Sequence, residues 1–176
     1  MDTFWLKDNQ SYSIVHMLND PLANGFVNGT VYQAFLSPYD YHRWHSPVDG
    51  TIVKTTVVEG TYFAGIPTSE LPSSADVAFQ GQQPFLTHVA TRALIFILAD
   101  DPRIGLMCFL GVGMVEGSSC EITVQPGEKV TKGQEIGTFH FGESTHCLVF
   151  GPQVNIYFFN KEGGSVNVRS TIVRIG

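Results

Sequence analysis

The sequence predicts a mainly β (α+β) fold: a single domain over residues 1–176, built of barrel-like and hammerhead-like antiparallel sheets with a few short helices. Three observations predict it. Three runs of strand length, 51–58 (TIVKTTVV), 92–99 (RALIFILA) and 106–115 (LMCFLGVGMV), are dominated by apolar, β-branched and aromatic residues. The turn-forming string Asp100-Asp101-Pro102-Arg103 separates the last two, so they read as one long hairpin. The segment 124–139 (VQPGEKVTKGQEIGTF) alternates turns with short strands.

Taken in chain order, the first element is a short helix over 13–18, with Ser11 or Ser13 as its cap and Pro21 just past its end. Gly50 and Gly60 bound the strand at 51–58 and place turns at both its ends. The stretch 64–84, rich in Pro, Ser, Gly and Gln, reads as a surface loop, and a loop of that length is usually functional. Periodicity alone leaves a buried helix open over 94–98, but the β-branched and aromatic residues there favour strand. A further strand is expected at 120–124. The segment 124–139 resembles the hammerhead turns of biotinyl and lipoyl carrier domains. A carrier needs a lysine at a hairpin tip, whereas Lys129 and Lys132 fall within the structural part of the repeat, so the pattern is a signal of fold.

Composition narrows the function. A chain of 176 residues can bury a sizeable core, and 43% hydrophobic with 15% charged residues describes a folded domain. The net charge of -6 and the lack of any basic run argue against nucleic acid and against a polybasic membrane anchor. No apolar run reaches the ~20 residues of a transmembrane helix, and residues 1–10 do not resemble a signal peptide. Cys108, Cys120 and Cys147 are odd in number and widely spaced, as expected of reduced, buried thiols in a soluble cytoplasmic protein. No set of ligands has metal-site spacing.

Two segments carry chemistry. The first, 36–50 (LSPYDYHRWHSPVDG), holds His42 and His45 around Arg43 and Trp44. In extended structure the two histidines face opposite sides, and a polar turn between strands would also account for them. The second, 139–150 (FHFGESTHCLVF), sets Ser144, Thr145 and His146 between apolar strands. Cys147 stands where a hydrolase elbow needs its second glycine, so a serine hydrolase is a weak alternative.

Together and in this order, the segments resemble the phosphatidylserine decarboxylase family. Tyr41, His42, Arg43, His45 and Pro47 match its Tyr-His-Arg-x-His-x-Pro signature, and Ser144 with Thr145 match its Gly-Ser-Thr or Gly-Ser-Ser self-cleavage site. The hammerhead before that site belongs to the family too. Trp44 beside His45, with residues 60–64 and 139–142, looks closest to the soluble group that includes fungal L-tryptophan decarboxylase.

The resemblance implies a pyruvoyl cofactor derived from Ser144. In the family the serine hydroxyl attacks the preceding carbonyl, the resulting ester eliminates, and an N-terminal pyruvoyl group is left. The substrate amine then forms a Schiff base with its ketone, which accepts the electrons released with carbon dioxide. It implies that His45, and secondly His42, move protons, and makes His146, Thr145 and Trp44 the candidates for the pocket lining; a strand histidine bonded to backbone accounts equally for His146, and a core side chain equally for Trp44. The substrate is expected to be a small amino-acid or phospholipid molecule, either phosphatidylserine or a free aromatic amino acid such as tryptophan, and a homodimer is expected by resemblance.

Two departures stand out. Glu143 replaces the family's glycine ahead of Ser144, restricting the backbone that must distort in the acyl shift. The family's upstream Ser-Pro-x-Asp-Gly aspartate has no counterpart before Tyr12, so the domain is expected to lack an N-terminal segment; Asp49 follows the histidines and is not its equivalent. The alternative expectation is an unprocessed, zymogen-like chain that never cuts.

Overall fold

The computed structural model describes residues 4–6, 10–37, 39–61, 86–113, 120–140 and 144–176. A short pair, β1 (Phe4–Leu6) and β2 (Gln10–Tyr12), leads into helix α1 (Ile14–Leu18) and a 3-10 helix at Pro21–Phe26. Strands β3 (Thr30–Leu36), β4 (Arg43–His45), β5 (Gly50–Val58), β6 (Arg92–Ala99) and β7 (Leu106–Gly113) follow. Then come β8 (Cys120–Ile122), β9 (Lys129–Val130), β10 (Glu135–Phe139), β11 (Ser144–Phe150), β12 (Ile156–Phe158) and β13 (Val173–Ile175). Six strands form one antiparallel sheet in the order β3-β11-β7-β6-β5-β9, and three form a second in the order β4-β10-β8.

The expected hairpin is present: β6 pairs β7 from Arg92↔Val112 to Leu98↔Leu106. Asp101 makes its turn, accepting from the Arg103 backbone N–H at 3.0 Å and from the Arg103 guanidinium at 2.6 Å. The expected loop at 64–84 lies outside the described residues, as do 114–115 at the end of the predicted second strand.

Strand alternation sorts the apolar residues of the six-stranded sheet onto two buried faces. Ala93, Ile95, Ile97, Met107, Phe109, Leu148 and Phe150 share one core with Trp44, Ile136 and Phe139 of the three-stranded sheet. Leu94, Phe96, Cys108, Leu110, Val112, Cys147 and Val149 face α1, the 3-10 helix and Leu86 on the other side. Burial on both faces explains why β6 and β7 read as continuous apolar runs instead of alternating ones.

Ser13 takes the N-cap position of α1, yet its side chain makes no capping bond. Its carbonyl accepts from Met17 N at 2.9 Å and lies 3.2 Å from His88 Nε2, so His88 secures the helix start. The end of α1 is held by Arg92, whose buried guanidinium donates to the carbonyls of Met17 (2.7 Å), Ala90 (3.0 Å) and His16 (3.4 Å). Desolvation lowers the Arg92 pKa. The 3-10 helix went unread in the sequence; Pro21 opens it and Asp20 caps it, accepting from Leu22 N at 3.0 Å and from Lys54 Nζ at 2.5 Å.

The hammerhead is built as the sequence pattern suggests. Gly127 (φ 89°) and Gly133 (φ 87°) sit at its two turns, in a conformation that L side chains rarely adopt. The turns clasp the start of β5 and the chain leading into it from β4: Gly133 N donates to Ser46 O, Ser46 N to Gln134 O and Gly127 N to Ile52 O. Asp49 Oδ1 accepts from Lys132 N at 2.8 Å, which makes it part of this clasp. Lys129 pairs with Asp100.

Candidate active site around Ser144

Ser144 opens β11, which lies between β3 and β7 in the six-stranded sheet. Seven register pairs flank β11 on either side, from Ser144↔Leu36 and Ser144↔Gly113 to Phe150↔Thr30 and Phe150↔Met107. Ser144 is fully buried, and its Oγ has no hydrogen-bond partner among the described residues. A buried hydroxyl without a partner is costly, on the order of 1–3 kcal/mol, so it marks a position retained for something other than stability. The backbone beside it is tied down: Gly113, opposite Ser144, donates from its N–H to Thr91 O at 3.2 Å. Glu143, the expected partner in cleavage, lies outside the described residues.

Alternation along β11 decides what faces with Ser144. His146, Leu148 and Phe150 share its side, whereas Thr145 and Cys147 point to the helix side. Thr145 is spent structurally, its Oγ1 donating to Ala34 O at 2.9 Å and accepting from Gln33 Nε2 at 3.3 Å. Burial pushes the Cys147 thiol up to about 12 and the Cys120 thiol up to about 11, so both stay protonated.

His146 stacks on Phe109, with ring centroids 5.8 Å apart at 11°, and tilts against Tyr32 at 6.2 Å. Its desolvated imidazole is held neutral, the pKa pushed down to about 4. Trp44 is 3% exposed and packs edge-on to Phe139 at 4.7 Å and beside Phe109 at 5.3 Å. Its Nε1, like Ser144 Oγ, is buried with no partner among the described residues. Two glycines admit the indole: a Cβ on Gly111 would meet Trp44 Cζ2 at 2.8 Å, and one on Gly137 would meet Cε3 at 2.3 Å. A glycine inside a strand marks such close approach, and Gly111 in LGVG and Gly137 in EIGTF were the signals available. Tyr32 and Phe109 carried no such signal, because nothing local says which strands will pair.

The two motif histidines part company. His42 stands beside Phe139, the last residue of β10: its carbonyl accepts from Phe139 N at 3.0 Å, and its ring meets the Phe139 ring edge-on at 6.3 Å. His42 Nδ1 lies 2.6 Å from Asp40 O. His45 is paired with Glu135 at the opposite end of β10. Its Nδ1 lies 2.8 Å from Gly133 O and its Nε2 lies 2.7 Å from the Tyr41 hydroxyl. A carbonyl only accepts, so Nδ1 carries the proton and Nε2 accepts from Tyr41. The structure thus sets Ser144 and His146 on one face with Trp44, and neither His42 nor His45 hydrogen-bonds Ser144. Among the described residues no group of three or more His, Cys, Asp or Glu could hold a metal ion, and no helix is long and apolar enough to cross a membrane.

Ser144 is thus a buried serine that opens an inner strand of the six-stranded sheet just after the hammerhead. The chain belongs to the phosphatidylserine decarboxylase family, whose profile, described as phosphatidylserine decarboxylase, matches residues 1–174. It is 51% identical to decarboxylase iboD of Amanita muscaria, over 99% of this chain and 53% of that protein. It is 42% identical to an L-tryptophan decarboxylase of Psilocybe cyanescens, over 84% of this chain and 35% of that protein. It is 31% identical to phosphatidylserine decarboxylase proenzyme 3 of Schizosaccharomyces pombe, over 99% of this chain and 17% of that protein. The chain therefore spans about half the length of iboD and less of the other two.

Proposed function

We propose that this chain carries the self-processing and catalytic part of a pyruvoyl-dependent carboxy-lyase that is cut between Glu143 and Ser144 and acts on an amino-acid moiety. The observation that carries this reading is the Ser144 hydroxyl, buried and without a partner among the described residues at the first residue of β11. It fits a serine that is to become the reactive group, since a structural serine in that place would have found a partner. The pyruvoyl carbonyl supplies the electron sink that decarboxylation needs.

The rest falls to the chain's own residues. The strands on either side of Ser144 hold its backbone while the preceding peptide is attacked, and the buried setting keeps water from competing. His45 is the family's proton-moving histidine by motif. Its Nδ1–H is fixed on Gly133 O, which leaves Nε2 as the basic atom once Tyr41 gives way. His42, fastened to the end of β10, is the second candidate. Thr145 does not share the Ser144 face and is proposed only to steady β11.

Either phosphatidylserine or a free aromatic amino acid such as tryptophan would suit this chemistry. The tryptophan decarboxylase relative favours the free amino acid. A homodimer belongs to the same reading by resemblance and is read directly by light scattering, and the free thiols of Cys108, Cys120 and Cys147 favour a cytoplasmic setting.

Intact-mass spectrometry under denaturing conditions, with Ser144→Ala as control, tests the proposal. Two fragments meeting at Glu143/Ser144 are expected, the C-terminal one lighter by one ammonia than plain hydrolysis would give and reactive towards hydroxylamine. A single uncut chain after prolonged incubation would overturn it in favour of a domain that folds but does not process, the reading that Glu143 in place of glycine favours.

A further inference from the structure

Residues directly opposite one another on paired strands project to the same side of a sheet. Around Ser144 this gives two rows on one face: Leu36, Ser144 and Gly113, then Ala34, His146 and Gly111. Every neighbour of Ser144 and His146 in these rows is small or aliphatic. The imidazole of His146 stacks on Phe109 at 5.8 Å and meets Tyr32 at a tilt at 6.2 Å, so Phe109 sets its plane before any ligand arrives. Neither of its ring nitrogens has a hydrogen-bond partner among the described residues.

A second polar atom lies alongside. The Trp44 indole covers Gly111, the strand neighbour of His146, through the Cζ2 and Cε2 edge next to Nε1. That N–H is buried and has no partner among the described residues. Two oriented hydrogen-bonding groups without partners, set among aromatic rings, describe a site awaiting a ligand atom. The ligand chemistry follows from what is missing. None of the residues in these two rows is cationic, and Arg92, on the neighbouring strand, faces the opposite side and is committed to three carbonyls. Burial keeps the imidazole uncharged at neutral pH, leaving one donor and one acceptor. Such a site suits a flat, uncharged side chain bearing one polar atom, and it does not suit a phosphodiester.

We propose that His146 is a specificity-determining residue of this chain: its imidazole accepts a hydrogen bond from the ring N–H or O–H of a flat, uncharged substrate side chain whose amino-acid end reacts at Ser144, and the Trp44 N–H beside it, a donor only, can serve a phenol oxygen but not an indole N–H. The inference rests on the decarboxylase reading above and names the substrate class for that same site. It makes His146 the point at which an aromatic amino acid with a ring N–H or O–H is told from one without.

Two experiments separate the inference from that reading. In the first, the full chain and its His146→Val and His146→Gln variants are checked by intact mass, which reads maturation alone. They are then assayed for carbon dioxide release from L-tryptophan, L-tyrosine, L-phenylalanine and phosphatidylserine in mixed micelles. Valine suits a strand and removes both hydrogen-bonding atoms. His146→Val is expected to mature normally and to lose at least tenfold in the kcat/KM preference for the better of tryptophan and tyrosine over phenylalanine, chiefly through KM. Glutamine, which keeps a donor and an acceptor, is expected to recover part of that preference. An unchanged preference in His146→Val, or a wild-type chain that takes only phosphatidylserine, would overturn the inference and leave the decarboxylase reading standing.

In the second, the uncut Ser144→Ala chain carries 15N-labelled histidine, and the His146 signals are assigned by their loss in Ser144→Ala/His146→Val. The imidazole shifts are expected to move with L-tryptophan or L-tyrosine and not with L-phenylalanine. Equal movement with all three, or none with any, would count against His146 whether or not the wild-type chain ever cuts.

Discussion

The indole of Trp44 lies so close over Gly137 that a single added methyl there would come within 2.3 Å of Trp44 Cε3 and 2.5 Å of Glu121 O. Gly137 belongs to β10, and the indole's far edge lies against Gly111 of β7, so one side chain spans the two sheets. Gly137→Ala is therefore expected to destabilise the fold by about 2 kcal/mol or more, because backbone as well as ring must move. Urea denaturation reads it directly. Trp44→Leu in the same chain should give back part of the loss, and strict additivity of the two changes would show that the contact is not the cause.

His146 makes stability depend on acid. Its folded pKa, pushed down to about 4, lies below the ordinary histidine value of 6.5, so the unfolded chain binds the proton more readily. Its contribution is intact above pH 6.5 and is lost as the pH falls from there towards 4, by an amount on the order of 3 kcal/mol. His146→Val should flatten that part of the stability curve measured by chemical denaturation. A decline between pH 6.5 and 4 as steep as the wild type's would show that other groups cause it.

Asp49 sits in a Ser-Pro-Val-Asp-Gly string that invites a catalytic reading, yet its carboxylate accepts from Lys132 N at 2.8 Å and steadies the hammerhead turn. Asp49→Ala is expected to cost about 1 kcal/mol of stability while leaving the extent of cleavage ahead of Ser144 unchanged. A loss of cleavage with stability preserved would place Asp49 in the reaction instead.

Arg92 is 3% exposed and donates to carbonyls of His16, Met17 and Ala90. Arg92→Met keeps the length but removes every donor, leaving carbonyls at the end of α1 unsatisfied, at a cost of about 3 kcal/mol. The damage should be local: amide exchange over α1 is expected to quicken far more than exchange over β7. Uniform acceleration across the chain would argue for a global role.

Local chemistry made some of this structure readable in advance. The hairpin of β6 and β7 was visible because Asp100, Asp101 and Pro102 specify a turn between two strand-like runs, and the hammerhead because Gly127 and Gly133 fall where left-handed turns are needed. The 3-10 helix was missed because Pro21 reads as a terminator as readily as a start. At the site, Ser144 and His146 share a side by the alternation of β11, which any strand enforces. That His146 would rest on Phe109 and Tyr32 depended on β11 lying between β7 and β3, a pairing set by residues far apart in sequence. The separation of His42 from His45 has the same origin: His45 pairs with Glu135 while His42 meets Phe139, so β10 draws them to its two ends.

The position of β11 bears on what a break in the chain would do. The bond ahead of Ser144 lies where one inner strand begins, and everything after it, residues 144–176, enters the molecule through the middle of the sheet and not along its rim. Severing that bond frees no edge and releases no lobe. The shorter piece stays laced between β3 and β7 by hydrogen bonds on both flanks, so the two polypeptides part only when the sheet itself comes undone. Such a protein can sacrifice continuity of its backbone and remain one object, with the newly made chain end confined to the spot where it was formed.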